Sequence, residues 1–154
     1  MITRHIFIVT VVVLIFGMAT VAVAQSPFVG KWKLNPGKSK MTGTAPLEWT
    51  DVIREIEGDR FEVTTIIALP DGSKVNEVIV WPRYGGIATY PQGGVEEGLM
   101  DVMTTISPNE WIFTRLVDGK QTGFMNCNVS PDDNMMRYTL GMPGLEGEAV
   151  FDKQ

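Results

Sequence analysis

Histidine is almost missing from this chain. The single copy, His5, falls in an apolar run near the start, and residues 25–154 contain none. Without imidazole there can be no Ser-His-Asp or Cys-His pair, no histidine metal site and no ordinary switch near neutral pH. Cysteine is as scarce. Cys127 stands alone, so no internal disulfide can form. It lies in the alternating segment FMNCNVS, with no Lys or Arg within five residues to stabilise a thiolate, and reads as a small buried side chain. Basic residues are also few. Residues 25–154 hold twelve Lys and Arg against eighteen Asp and Glu, a formal charge of −6. An acidic chain with no basic cluster lacks the electrostatic attraction that dominates nucleic-acid binding, which excludes that partner. A helical stripe is missing too: no window of eleven or more residues places its apolar positions at helical spacing.

What is present divides into two parts. Arg4, the run IFIVTVVVLIF (Ile6 to Phe16) and Ala22-Val23-Ala24 are the positive, apolar and small-x-small parts of a secretory signal peptide. The expectation is a leader over residues 1–24, cleavage before Gln25, and a periplasmic or secreted domain over 25–154 with no membrane span left. An uncleaved anchor is the competing reading, since about 20 apolar residues span a bilayer.

From Pro27 onward apolar and polar residues alternate, and turn signals recur at short intervals. Ten candidate strands follow: Val29–Leu34, Trp49–Glu57, Arg60–Leu69, Lys74–Trp81, Gly86–Tyr90, Leu99–Ser107, Glu110–Val117, Gln121–Val129, Met135–Gly141 and Gly147–Gln154. Glu-Gly-Asp, Pro-Asp-Gly-Ser, Ser-Pro-Asn, Asp-Gly-Lys and Ser-Pro-Asp-Asp-Asn between them are hairpin chemistry. An antiparallel meander with one apolar face closes most simply into an all-β, up-and-down barrel of eight to ten strands. A β-sandwich is the alternative. On Arg60–Leu69 the residues Phe61, Val63, Thr65, Ile67 and Leu69 share one face, opposite Glu62, Thr64 and Ile66; on Leu99–Ser107 the apolar side is Met100, Val102 and Ile106. Asn35–Glu48 has room for one turn of helix across a barrel end, and PQGGVEEG reads as an exposed loop.

The opening PFVGKWKLNPGKSK resembles the first strand of the lipocalin and fatty-acid-binding barrels, and is closest to small secreted bacterial lipocalin-like proteins. VSPDDNMMRYTLGM with GEAVFDKQ is similar to their closing hairpin. The resemblance implies a calycin-type barrel with Trp32 filling its closed end, and an interior that holds a small apolar molecule. It does not imply a fatty acid. The Arg-x-Tyr of fatty-acid-binding proteins is absent, because Arg137 and Tyr138 are adjacent and point to opposite faces.

The expected lining is Phe61, Val63, Ile67, Trp111, Phe113 and Met125. Arg115 shares a face with Trp111 and Phe113. If that face is inward, Arg115 can hold an anionic head group; if Ile112, Thr114 and Leu116 point inward, it is a surface charge. Either Arg137 or Tyr138 faces in, and a buried Tyr138 hydroxyl needs a partner. Met100, Met103, Met125, Met135, Met136 and Met142 suit either an irregular guest or ordinary core filling. Glu96-Glu97 lies in a loop without catalytic spacing, PDDN is a turn rather than a calcium loop, and no cofactor or metal is expected. Three functions remain open: an exported barrel binding a small hydrophobic ligand, a histidine-free isomerase or cyclase, and a structural envelope protein with a filled interior. The missing histidine leans against the enzyme.

Overall fold

A computed structural model describes residues 25–93 and 96–154; the expected leader, residues 1–24, lies outside the described residues. Among the described residues every regular element is a strand: β1 (Gly30–Leu34), β2 (Lys40–Gly43), β3 (Glu48–Ile56), β4 (Arg60–Ala68), β5 (Lys74–Pro82), β6 (Gly86–Ile87), β7 (Thr89–Gln92), β8 (Leu99–Ser107), β9 (Glu110–Val117), β10 (Lys120–Val129), β11 (Met135–Met142) and β12 (Leu145–Lys153). Among the described residues no helix is long and apolar enough to cross a membrane.

The strands form one antiparallel sheet in the order β6-β8-β9-β10-β11-β12-β1-β3-β4-β5-β7. Its two ends are neighbours in the chain. Gly86 and Ile87 pair with Met103 and Val102 of β8, and Thr89 and Gln92 pair with β5. The sheet therefore curls into a nearly closed barrel, as the meander required, and the sandwich is excluded. Tight hairpins set the register. Val117 pairs directly with Lys120 across Asp118-Gly119, whose left-handed φ values of 49° and 74° give a two-residue turn matched to strand twist.

Two expectations change. Gly86–Tyr90 is two short strands, because its halves serve opposite edges of the sheet. The long connection Asn35–Glu48 holds no helix; it opens on a tight turn, with the Lys38 amide donating to the Asn35 carbonyl and the Ser39 amide to the Pro36 carbonyl, and then contains β2. Ser39 Oγ donates to the Asn35 carbonyl at 2.7 Å and accepts from the Val150 amide at 2.9 Å, turning the chain back along β12. β12 then pairs with β2 over its first half and with β1 over its second. The ten strand positions read from the sequence thus hold eleven of the twelve segments, and β2 lies in the connection between the first two.

Trp32 is fully buried at the closed end, and its indole N–H donates to the Phe28 carbonyl at 2.7 Å. Gly30, at φ 149°, leaves room for Lys153: a Cβ there would lie 2.7 Å from Lys153 Cε. The Lys153 ammonium instead reaches to 5.0 Å from the Trp32 ring centre. Phe28 stacks on Trp111 with ring centres 3.6 Å apart, and Phe61 and Trp81 pack against Trp111 at 5.0 and 5.3 Å. This aromatic plug is the floor of the barrel.

β4 faces as its alternation requires, with Phe61, Val63 and Thr65 buried. β8 does not. Asp101 and Met103 point inward and are buried, while Met100 and Ile106 are exposed on the outer wall. The more apolar face is outside because the inward carboxylate has partners waiting for it.

Candidate ligand-binding site

Above the floor the barrel encloses an open-mouthed cavity of about 270 Å³. Of the residues expected to line it, Val63, Ile67, Trp111, Phe113, Arg115, Met125 and Tyr138 do so. β9 therefore presents its Trp111, Phe113 and Arg115 face to the interior, and β11 presents Tyr138 rather than Arg137. Phe61 is the exception. It is buried one level lower, against Trp111, and belongs to the plug. Trp49, Trp81 and Met103 complete the apolar wall. Three of the four tryptophans thus face the cavity, and the fourth, Trp32, lies beneath it.

Around this apolar wall runs a polar belt created by register. Asp51 pairs with Thr65, and Thr65 with Glu77, so three acceptor-bearing side chains stand level on β3, β4 and β5. On the opposite wall Asp101 pairs with Arg115 across β8 and β9. The belt contains two closed clusters. Asp51 accepts from Trp49 Nε1 at 2.9 Å, Thr65 Oγ1 at 2.8 Å and Tyr138 Oη at 2.7 Å. The buried tyrosine hydroxyl thus has its partner. Burial nevertheless outweighs these bonds and lifts the Asp51 carboxyl above the ordinary carboxylate range.

In the second cluster Arg115 makes a two-pronged contact with Asp101, Nε to Oδ1 at 3.0 Å and Nη2 to Oδ2 at 2.8 Å. The Tyr90 hydroxyl donates to Oδ2 of the same carboxylate. Asp101 is fully buried, whereas the arginine side chain is 33% exposed. The hydrogen bonds from Asp101 hold the guanidinium even more firmly protonated than usual, and burial followed by the neighbouring carboxylate raises the Tyr90 phenol. Arg115 therefore faces the cavity, but both donor groups of one edge are already committed.

Glu77 is different. It lines the cavity, is half-buried, and makes no ion pair among the described residues. Burial raises its carboxyl, and the Arg115 charge only partly opposes that. Cys127 also lines the wall, yet burial pushes its thiol up, which removes it as a nucleophile. Among the described residues no cluster of three or more His, Cys, Asp or Glu side chains is placed to hold a metal.

The belt residues Trp49, Asp51, Glu77, Tyr90 and Asp101 were not among the expected site residues. A signal existed for three of them. Asp51 lies two residues from Trp49 and Ile53, Glu77 two from Ile79, and Asp101 two from Met103, so each carboxylate shares a face with core side chains.

No family model matches the chain, and no curated protein matches it. Among solved structures it is similar to the wild-type fluorescent protein UnaG, at 14% identity and a TM-score of 0.62, over 82% of this chain and 97% of that one. A single-residue variant of UnaG matches over 83% and 96%, again at 14% identity, with a TM-score of 0.60. At such low identity the likeness speaks to fold alone, and it agrees with the strand order: this chain folds as an antiparallel up-and-down β-barrel.

Proposed function

We propose that this protein binds a small hydrophobic molecule inside its barrel. The observation that carries the reading is the open cavity of about 270 Å³ walled by Trp49, Trp81, Trp111, Phe113 and Met125. Ligand cavities begin near about 300 Å³, and an apolar void of about 150 Å³ already holds a benzene ring. The space suits a bicyclic aromatic or a short amphiphile. A filled interior, the structural alternative, would leave no such space.

The test uses naphthylmethanol, a neutral probe of that size. Three tryptophans face the cavity, so titration should change their emission saturably and raise the melting temperature as ligand concentration rises. Emission that follows probe concentration linearly, with no thermal shift, overturns the reading.

The binding domain is read as an exported one. Arg4, the apolar run Ile6 to Phe16 and Ala22-Val23-Ala24 support a cleaved leader and, with it, a periplasmic or secreted domain. Intact-mass analysis of the mature protein should find Gln25 at the N-terminus. Met1 retained on membrane-bound material would replace export with anchoring.

A further inference from the structure

The polar belt decides which end group such a ligand can carry. Charge is the first consideration. Two carboxyl groups, on Asp51 and Glu77, line the cavity beside one guanidinium, on Arg115, and a third, on Asp101, is buried against that guanidinium. A ligand carboxylate would add a fourth acceptor to that ring. It would also compete with Asp101 for Arg115, and Asp101 is fully buried with no solvent to replace a lost partner. The anionic head group expected from the sequence therefore meets an arginine already occupied.

The carboxylates are not equivalent. Asp51 is sealed by Trp49, Thr65 and Tyr138, and Asp101 by Arg115 and Tyr90. Glu77 alone has an acceptor directed to the cavity with no ion-pair partner among the described residues. It stands two residues from Ile79 and four from Trp81 on the inward face of β5, level with Thr65 and between the levels of Trp81 and Trp49, so its head lies within reach of the aromatic wall. Indole faces attract cations, and a cation held in a low-dielectric pocket needs a carboxylate to offset its lost hydration. The belt and the wall together supply both.

We propose that the molecule taken by this cavity carries a basic nitrogen, held by Glu77 while its apolar body lies against the tryptophan wall. The inference deepens the binding reading above and rests on it.

Three probes with one naphthalene body separate the two: naphthylmethylamine, naphthylmethanol and naphthoic acid. The amine should bind at least about tenfold more tightly than the alcohol, the scale of one hydrogen bond to a charged group, and the acid should bind most weakly. Glu77→Gln should abolish the preference for the amine over the alcohol. If the alcohol binds the parent protein and the acid equals or exceeds the amine, the nitrogen assignment is wrong and interior binding survives. An amine preference that persists in Glu77→Gln removes Glu77 from the role and overturns the proposal in its stated form. If none of the three binds, the interior-binding reading itself falls. The ranking on the parent protein stands as a test even if the variant folds poorly.

Discussion

Ile53 and Asp51 are consecutive inward residues of β3, and both are about 2% exposed. Met103 and Asp101 repeat the arrangement on β8, with 4% and 0%. One step along each strand separates a side chain sealed by apolar contact, Ile53 in the core and Met103 on the cavity wall, from a belt sealed by paired polar groups. In the floor, burial stabilises by itself, at about 1.5–3 kcal/mol for a large side chain. In the belt, burying each carboxylate costs stability, and the surrounding donors offset that cost. The floor can thus be packed by any side chains of suitable shape, whereas the belt works only if its partners arrive together.

Substitutions can break this contrast, beginning with the floor. Trp32→Ala should lose about 3–5 kcal/mol in urea unfolding, because a fully buried indole leaves a cavity and the Phe28 carbonyl loses its donor. A loss under about 1 kcal/mol would show that the plug does not seal the barrel.

The belt should fail next, and differently. Arg115→Met removes one partner and leaves Asp101 buried with only Tyr90; about 2–3 kcal/mol should go, below the full cost of breaking a buried pair because the arginine is part exposed. Adding Asp101→Asn should recover much of that loss, while no second change of similar size should rescue Trp32→Ala. A double variant as unstable as the sum of its singles would refute the pairing argument.

A smaller effect follows from pH. The folded Asp51 carboxyl titrates above its unfolded value, so as pH falls the folded state takes up the proton first. Stability attributable to this group is therefore greatest below the ordinary carboxylate range and declines as pH rises through the folded value. Comparing unfolding free energies across that window, Asp51→Asn should show a shallower decline than the parent. An identical slope would mean that another group carries it. The least effect belongs to the turn that bends the chain from β1 into β2. There Asp152 accepts from Lys38 at 2.7 Å and from Asn35 at 2.6 Å, which together hold its carboxyl low. Lys38→Ala should cost less than about 1 kcal/mol, since the lysine is half exposed, and the cost should shrink in high salt.

The same contrast explains what could be read from the chain alone. Strand rhythm, hairpin turns and the Trp32 plug were legible, because alternation and Asp-Gly chemistry act locally. The inward face of β4 was legible for the same reason. β8 misled because Met100, Val102 and Ile106 form the more apolar face, and only the arrival of Arg115 and Tyr90 from other strands makes Asp101 the inward residue. The face of Arg115 stayed open in the sequence, because Trp111 and Phe113 on one side and Ile112 and Leu116 on the other are nearly equal in apolarity, and its partner Asp101 lies fourteen residues away. Phe61 shared a face with Val63, and sequence alone does not say at which height the plug ends and the cavity begins. β2 was missed because its partner is the first half of β12, more than a hundred residues on.

The stretch from Gly86 to Gln92 holds the two edges of the sheet together. Among the described residues it pairs with β8 at Gly86 and Ile87, extended by the Ala88 amide donating to the Asp101 carbonyl at 2.8 Å, and with β5 at Val80 and Val78, through a register shift. Every other neighbour in the main strand order is zipped by a longer ladder. This short splice is the seam of the barrel, where thermal fluctuation meets least resistance. Amide protons along it should exchange with solvent well before those of the β3–β4 and β11–β12 hairpins. Tyr90 sits in the splice and touches Asp101, so parting the seam also loosens the belt. The wall most able to open is thus the wall that keeps Arg115 occupied.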